Sequence, residues 1–128
     1  MTKAYNFIEI LNTSQTLSGL DFGEKTIGIA ISDINKIIAT PIKTIKRKSI
    51  ENDIKELKNI FEEYHVGGVV IGLPLSLDGN ENNQTLKVRK FGEKLKNKVG
   101  LKVIFHDERY SSDVVFKELR KASISKNK

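Results

Sequence analysis

Cysteine is absent from the sequence. Disulfides and thiolate-held metals are thereby excluded, and a cytoplasmic setting fits that absence. No apolar run approaches the roughly 20 residues that span a bilayer, so no membrane partner is expected. The N-terminal apolar stretch AYNFIEIL is short, carries Glu9 and is followed by no small-residue cleavage site, so it does not read as a signal peptide. There is no internal repeat and no low-complexity segment. Neither Ser32 nor Ser76 has a neighbouring His–Asp arrangement of the kind a hydrolase triad needs.

What is present is one domain's worth of chain. The 128 residues are 38% hydrophobic and 30% charged, with a formal net charge of +6. That excess of cations hints at a polyanionic partner, although it is moderate. It is also localised, because the window from Lys87 to Lys102 alone carries a net +6. Residues 1–17 read as an N-terminal extension, with a short helix near Tyr5–Leu11 and a linker at NTSQT (Asn12–Thr16), and 18–128 as the domain.

In SGLDFGEKTIGIAISD (Ser18–Asp33), the bulky residues Ile27, Ile29 and Ile31 alternate with the slim Gly28, Ala30 and Ser32. Period two predicts a strand with one bulky and one slim face, paired as a hairpin to the preceding strand across Gly23 and Glu24. TPIKTI (Thr40–Ile45) predicts a third strand, at an edge because of Pro41. Ser49–His65 predicts a helix capped by Ser49, with Ile50, Ile54, Leu57, Phe61 and Tyr64 along one stripe. VGGVVIGLP (Val66–Pro74) reads as a strand covered on both faces, and Asp78-Gly79 as a turn. A second helix is expected from about Asn83 to Lys98, with an inner stripe at Val88, Gly92, Leu95 and Val99. Lys87, Lys90, Lys94 and Lys98 form a basic stripe beside it. LKVIFHDERY (Leu101–Tyr110) predicts a fifth strand, and Ser111 or Ser112 caps a last helix. The resulting order is β-β-β-α-β-α-β-α: an α/β chain with a five-stranded mixed sheet flanked by helices. It is the order of the ribonuclease-H-like fold and of several others.

Asp21 stands between Leu20 and Phe22 at the end of the first strand. It is either a turn aspartate accepting backbone hydrogen bonds or a functional acid beside the slim face of strand two. Asp107 and Glu108 close the fifth strand. If that strand runs parallel to the first, these acids share an edge with Asp21, and such oxygen-rich sites suit Mg²⁺ or Mn²⁺. Two such ions roughly 4 Å apart assist phosphodiester cleavage. Alternation puts Asp107 with Val103 and Phe105, and Glu108 with Ile104 and His106, so only one of the pair aims directly at Asp21. A surface cluster of self-paired charges is the bland alternative. His106 reads as a structural histidine, and His65 as a cation suited to a helix end. The lysine stripe and KTIKRK (Lys43–Lys48) read either as solvated faces or as phosphate contacts.

Taken in order, GLDFGEKTIGIAISD, TPIKTI, VVIGLPLSLDGNENNQTLKVRKFGEKL and IFHDERYSS resemble the YqgF/RuvX family over roughly residues 18–120. That family is described as Holliday-junction-resolvase-like and as a nuclease that processes pre-16S ribosomal RNA. The resemblance implies a ribonuclease-H-like fold and a nuclease dependent on Mg²⁺ or Mn²⁺. Its substrate would be structured RNA, with branched DNA as the alternative, and its partners would include ribosomal precursor particles. A homodimer is left open. It carries active-site and metal-binding roles onto Asp21, Glu108 and Asp107. Contacts to nucleic acid fall on Lys25, Arg109, Ser111 and Ser112, with Lys87, Lys90 and Lys94 from the basic stripe. Gly72, Leu73 and Pro74 match a structural signature, and Asn80 and Gln84 fall near the substrate edge. One departure stands out. The family pattern continues into a final helix opening with an Asp, whereas here no Asp follows Asp113 and Glu118 comes too early to replace it. The competing expectation is therefore a catalytically impaired module that binds nucleic acid or the ribosome. A third reading takes DFGEKTIGIA as the phosphate-gripping hairpin of actin-like and sugar kinases; it fails on length, since those need a second lobe.

Overall fold

The computed structural model describes residues 14–33 and 39–107. The strands are β1 (Thr16–Phe22), β2 (Thr26–Ser32), β3 (Ala39–Lys46), β4 (Val66–Leu73) and β5 (Lys102–Asp107), and the helices are α1 (Ile50–Glu63) and α2 (Asn83–Val99). The sheet order is β3-β2-β1-β4-β5. β1, β2 and β3 pair antiparallel, and β4 and β5 run parallel to β1. This is the mixed five-stranded sheet expected, with the meander first and the crossovers after it. The expected helices near Tyr5–Leu11 and after Ser111 or Ser112 lie outside the described residues. β1 begins at Thr16, inside the stretch expected to be extension and linker.

The alternation of β2 decides which side of the sheet is packed. Ile27, Ile29 and Ile31 join Leu20, Phe22, Val69, Ile71 and Leu73 in one buried cluster with Ile54, Leu57, Phe61, Val88, Phe91 and Leu95 of the two helices. Both described helices therefore cover the same face. Each such side chain taken from water contributes about 1.5–3 kcal/mol before entropy is counted. Phe91, missed in the expected inner stripe, is among the largest fully buried side chains and stacks on Phe22 at 4.1 Å between ring centroids. Gly92 earns its place by contact: a Cβ there would collide with the ring of Phe105 and meet Ile71 Cδ1 at 3.3 Å, so α2 approaches β4 and β5 only through a glycine.

The ends of the elements follow local chemistry. Ser49 Oγ accepts from the backbone N–H of Asn52 and caps α1, as expected. α1 ends two residues earlier than expected. Tyr64 is its exposed C-cap rather than part of the inner stripe, and His65 follows at φ 55. His65 thus works through its backbone: its carbonyl accepts from Thr16 N–H at 2.9 Å where β1 starts. Asn82 and Thr85 form a reciprocal capping box at the start of α2, and Gly100 closes that helix at φ 70. β3 is an edge strand. Pro41 lies beside its register irregularity, where the missing N–H costs no ladder bond. β4 is buried along nearly its whole length, as its continuous apolar run predicts for a central strand.

Candidate functional site

The other face of the sheet is made of what the first leaves out. Asp21 pairs in register with Gly28 on β2. On its other side, Leu20 pairs with Ile71, so Asp21 is level with Gly72, which in turn pairs with His106. A row of Gly28, Asp21, Gly72 and His106 therefore crosses four strands on one face. With neighbouring strands about 4.8 Å apart, the backbones of Asp21 and His106 are roughly 10 Å apart. Because β1, β4 and β5 are parallel, this row lies at their common carboxyl edge, where open α/β sheets gather ligands.

The Asp21 carboxylate is exposed and makes no hydrogen bond or ion pair with any described residue. It is not the turn aspartate of the bland reading: the turn is closed instead by Gly23 N–H donating to Thr26 O at 2.9 Å. An ideal Cβ on Gly28 would meet Asp21 Cβ at 3.6 Å, an ordinary contact, so the glycine leaves lateral space beside the acid. That free oxygen donor over glycine suits a hard cation such as Mg²⁺ or Mn²⁺. Asp21 alone does not make such a site, and no cluster of three or more metal-binding side chains occurs among the described residues.

Of the two acids at the end of β5, Asp107 lies within the described residues. Asp107 pairs with Leu73 and is one residue out of phase with His106, so register puts it on the helix-covered side with Phe105. Of the two acids between which alternation left the choice open, this register turns Asp107 away from Asp21, because successive residues of a strand point to opposite faces. Glu108, Arg109, Ser111 and Ser112 lie outside the described residues, as does the C-terminal departure from the family pattern. His106 is half-buried, and burial pushes its pKa below the usual imidazole value while Asp107 pulls the other way. Its Nδ1 is 2.8 Å from Asp107 O. A carbonyl only accepts, so a hydrogen bond here needs the proton on Nδ1.

Around this edge the cations are arranged in two ways. Lys25 is exposed in the β1–β2 turn, and Lys87, Lys90 and Lys94 are exposed on α2. Arg89, between them in sequence, is engaged instead: it forms a bidentate pair with Glu81 at 2.6 and 2.8 Å and lies over the Phe105 ring. That hydrogen-bonded pair lowers the Glu81 pKa and raises that of Arg89. Asn80, expected near the substrate edge, bonds both oxygens of Asp78 and stiffens the loop after β4. Gln84 is half-buried in the first turn of α2. The Gly72-Leu73-Pro74 signature ends at a working carbonyl, since Pro74 O accepts from both Asn82 Nδ2 and Thr85 Oγ1.

Sequence reasoning missed Arg47. Its Nη1 donates to the carbonyls of Gly23 and Glu24, its guanidinium lies 4.2 Å from the Phe22 centroid, and its Nε is 3.7 Å from Asp53 Oδ2. Asp53, only 2% exposed, also accepts from Lys48 N–H at 3.0 Å. Together they pin the turn following Asp21 to the start of α1. The available signal was position: Asp53 is one turn before Leu57 on the buried stripe, an unusual place for an acid whose only task is the helix dipole.

The profile of the RuvX family, described as Holliday junction resolvase, matches residues 15–128. The chain belongs to the RuvX family. A RuvX-family relative from Ehrlichia chaffeensis, named "Putative pre-16S rRNA nuclease", is 39% identical over 120 residues, covering 94% of this chain and 77% of its own. One from Caldanaerobacter subterraneus subsp. tengcongensis with the same name is 48% identical over 94 residues, covering 73% and 68%. Among solved structures, Thermus thermophilus RuvC in complex with Holliday junction substrate superposes with TM-score 0.52 at 9% identity, over 73% of this chain and 64% of that one. The large terminase nuclease of phage G20c gives TM-score 0.53 at 14% identity, over 85% and 56%. These two likenesses concern the fold, which is ribonuclease-H-like.

Proposed function

We propose that this RuvX-family chain is a hydrolytic nuclease that cleaves phosphodiester bonds in structured nucleic acid, with Asp21 at its centre. The observation that carries this reading is an exposed carboxylate, unpaired among the described residues, beside glycine at the carboxyl edge of three parallel strands. The glycine row leaves room for a sugar–phosphate backbone to approach, and Asp21 has no competing partner among the described residues. Glu108 is the second acid of choice, because strand alternation would carry it to the face of His106 and Asp21. Asp107 is the weaker candidate and serves the site through the His106 contact. When bound, a divalent ion, Mg²⁺ or Mn²⁺, supplies Lewis acidity at a phosphoryl oxygen and a lowered pKa for water. Lys25, Arg109, Ser111 and Ser112 would orient the phosphates nearest the acids, with Lys87, Lys90 and Lys94 further out. The names of the relatives favour pre-16S rRNA as substrate, with processing at its 5′ end within ribosomal precursor particles; branched DNA is the alternative.

The test is Asp21→Asn, assayed with Mg²⁺ or Mn²⁺ on a labelled pre-16S rRNA fragment and on a four-way DNA junction. Cleavage is expected to fall about 10³-fold, roughly 4 kcal/mol in the barrier. Parent-level cleavage by the variant removes Asp21 from the chemistry. A second reading is favoured by one observation: a single carboxylate of the described residues stands on this face. On that reading the chain binds nucleic acid without cutting it, and the parent shows salt-sensitive binding with no metal-dependent cleavage.

A further inference from the structure

α1 and α2 both start at the carboxyl edge and run side by side away from it over the helix-covered face. Between them is an open furrow. Its head, beside Phe22 and Arg47, is lined by Lys87, Lys90 and Lys94. Its middle is lined by Lys55, Lys58, Lys94 and Lys98. Lys94 and Ile50 border both sections, so the two are continuous. The acids on its walls are Glu24 at the head and Glu51 in the middle. Lys87 to Lys98 alone spans roughly 16 Å along the helix axis at about 1.5 Å per residue.

The side chains of all six make no hydrogen bond or ion pair with a described residue, a property they share with Lys25, Lys46 and Lys96. Two features set them apart from an ordinary solvated face. The lysines come from both walls, so their potentials add inside a concave channel bounded by low-dielectric protein. Among the described residues the channel also presents no exposed aromatic ring, because Phe22 and Phe91, which border its head, are buried in the core. Single-strand grooves pair their cations with rings on which bases stack. A two-walled row of ammonium groups without rings is matched to the regular phosphates of a double helix.

We infer that the α1–α2 furrow holds a double-helical arm of the substrate, on the opposite side of the sheet from Asp21. This rests on the nuclease reading and extends it. A strand leaving Asp21 passes over the carboxyl edge, by the Gly23–Lys25 turn, and its duplex continuation follows the lysines. The site would then favour substrates with a helical arm attached to the cleaved segment over unstructured strands.

The experiment uses Lys55→Gln/Lys58→Gln/Lys98→Gln, three exposed residues distant from the carboxyl edge. Affinity is measured across a salt series for a pre-16S rRNA fragment with a hairpin arm, for the same cleavage segment without the arm, and for a four-way DNA junction. If three phosphate contacts are lost, the log K against log salt slope for the armed RNA becomes shallower by about 2–3. Armed-RNA affinity falls at least tenfold near 0.1 M salt, while the armless segment binds as it does to the parent. An equal loss on the junction identifies any double helix as the occupant, and a loss confined to RNA restricts it to an RNA arm. An unchanged slope for the armed RNA and for the junction, or equal losses with and without the arm, overturns the inference. The nuclease reading fails separately: it falls if the parent does not cleave, whatever the furrow variant binds.

Discussion

The two faces of the sheet are made by alternate residues of the same strands, yet they are built to opposite ends. On β2, Ile27, Ile29 and Ile31 go into the core under the helices, while Gly28 and Ala30 face the side of Asp21. Under the helices side-chain volume goes into burial; beside Asp21 it is withheld, while Leu17, Val70 and Ile104 further along that same face are buried as well. The same contrast separates the glycines. Gly92 is small because Phe105 occupies the space a Cβ would take, whereas Gly28 is small beside an acid that is only in ordinary contact distance. What separates packing from chemistry in this domain is the phase of an alternation rather than a distance along the chain.

Four measurements would break or sharpen that division. The largest expected effect is that of Asp21→Asn, which removes about 10³-fold in cleavage with an unchanged melting temperature, since the acid is exposed and unpaired among the described residues. A matching loss of stability would mean that the slim face is structural after all. Next is Ile29→Ala on the packed face, expected to cost about 3 kcal/mol by urea unfolding, with cleavage per folded molecule unaltered. A smaller contrast comes from the two glycines. Gly92→Ala should destabilise by about 1–3 kcal/mol through the clash with Phe105, while Gly28→Ala should be neutral or slightly stabilising. Equal thermal shifts for the two would erase the distinction. The smallest effect belongs to Glu81→Gln on the surface. The pair with Arg89 lowers the Glu81 pKa, so its stabilising contribution is present above the usual carboxylate range and fades as pH falls through the folded value. The parent and the variant should accordingly melt alike in acid and differ slightly near neutrality at low salt, the difference closing at high salt.

Much of the fold was legible in the sequence because each strand and helix wrote its own period. The alternation of Ile27–Ile31 gave the faces, Pro41 marked the edge, and Ser49 marked the start of α1. Where the reading slipped, long-range contacts were responsible. Phe91 belongs to the core because Phe22 meets it from β1, and Tyr64 leaves the inner stripe because the chain reverses at His65 to start β4 at Val66, with the His65 carbonyl accepting from Thr16 N–H. Arg47 was legible only as one cation in a basic run. Its role depends on Asp53 and the Gly23–Glu24 carbonyls being brought to it.

By itself the sequence determined the described strands and helices, their order, the family, and the suspicion that falls on Asp21. Those follow from periods, caps and motifs that act over a few residues. Tertiary structure alone decided that Asp21 is level with His106 rather than Asp107, and that lysines from two helices face one furrow. Both are matters of register and juxtaposition between segments far apart along the chain, and no local pattern encodes the phase at which two distant strands or helices meet.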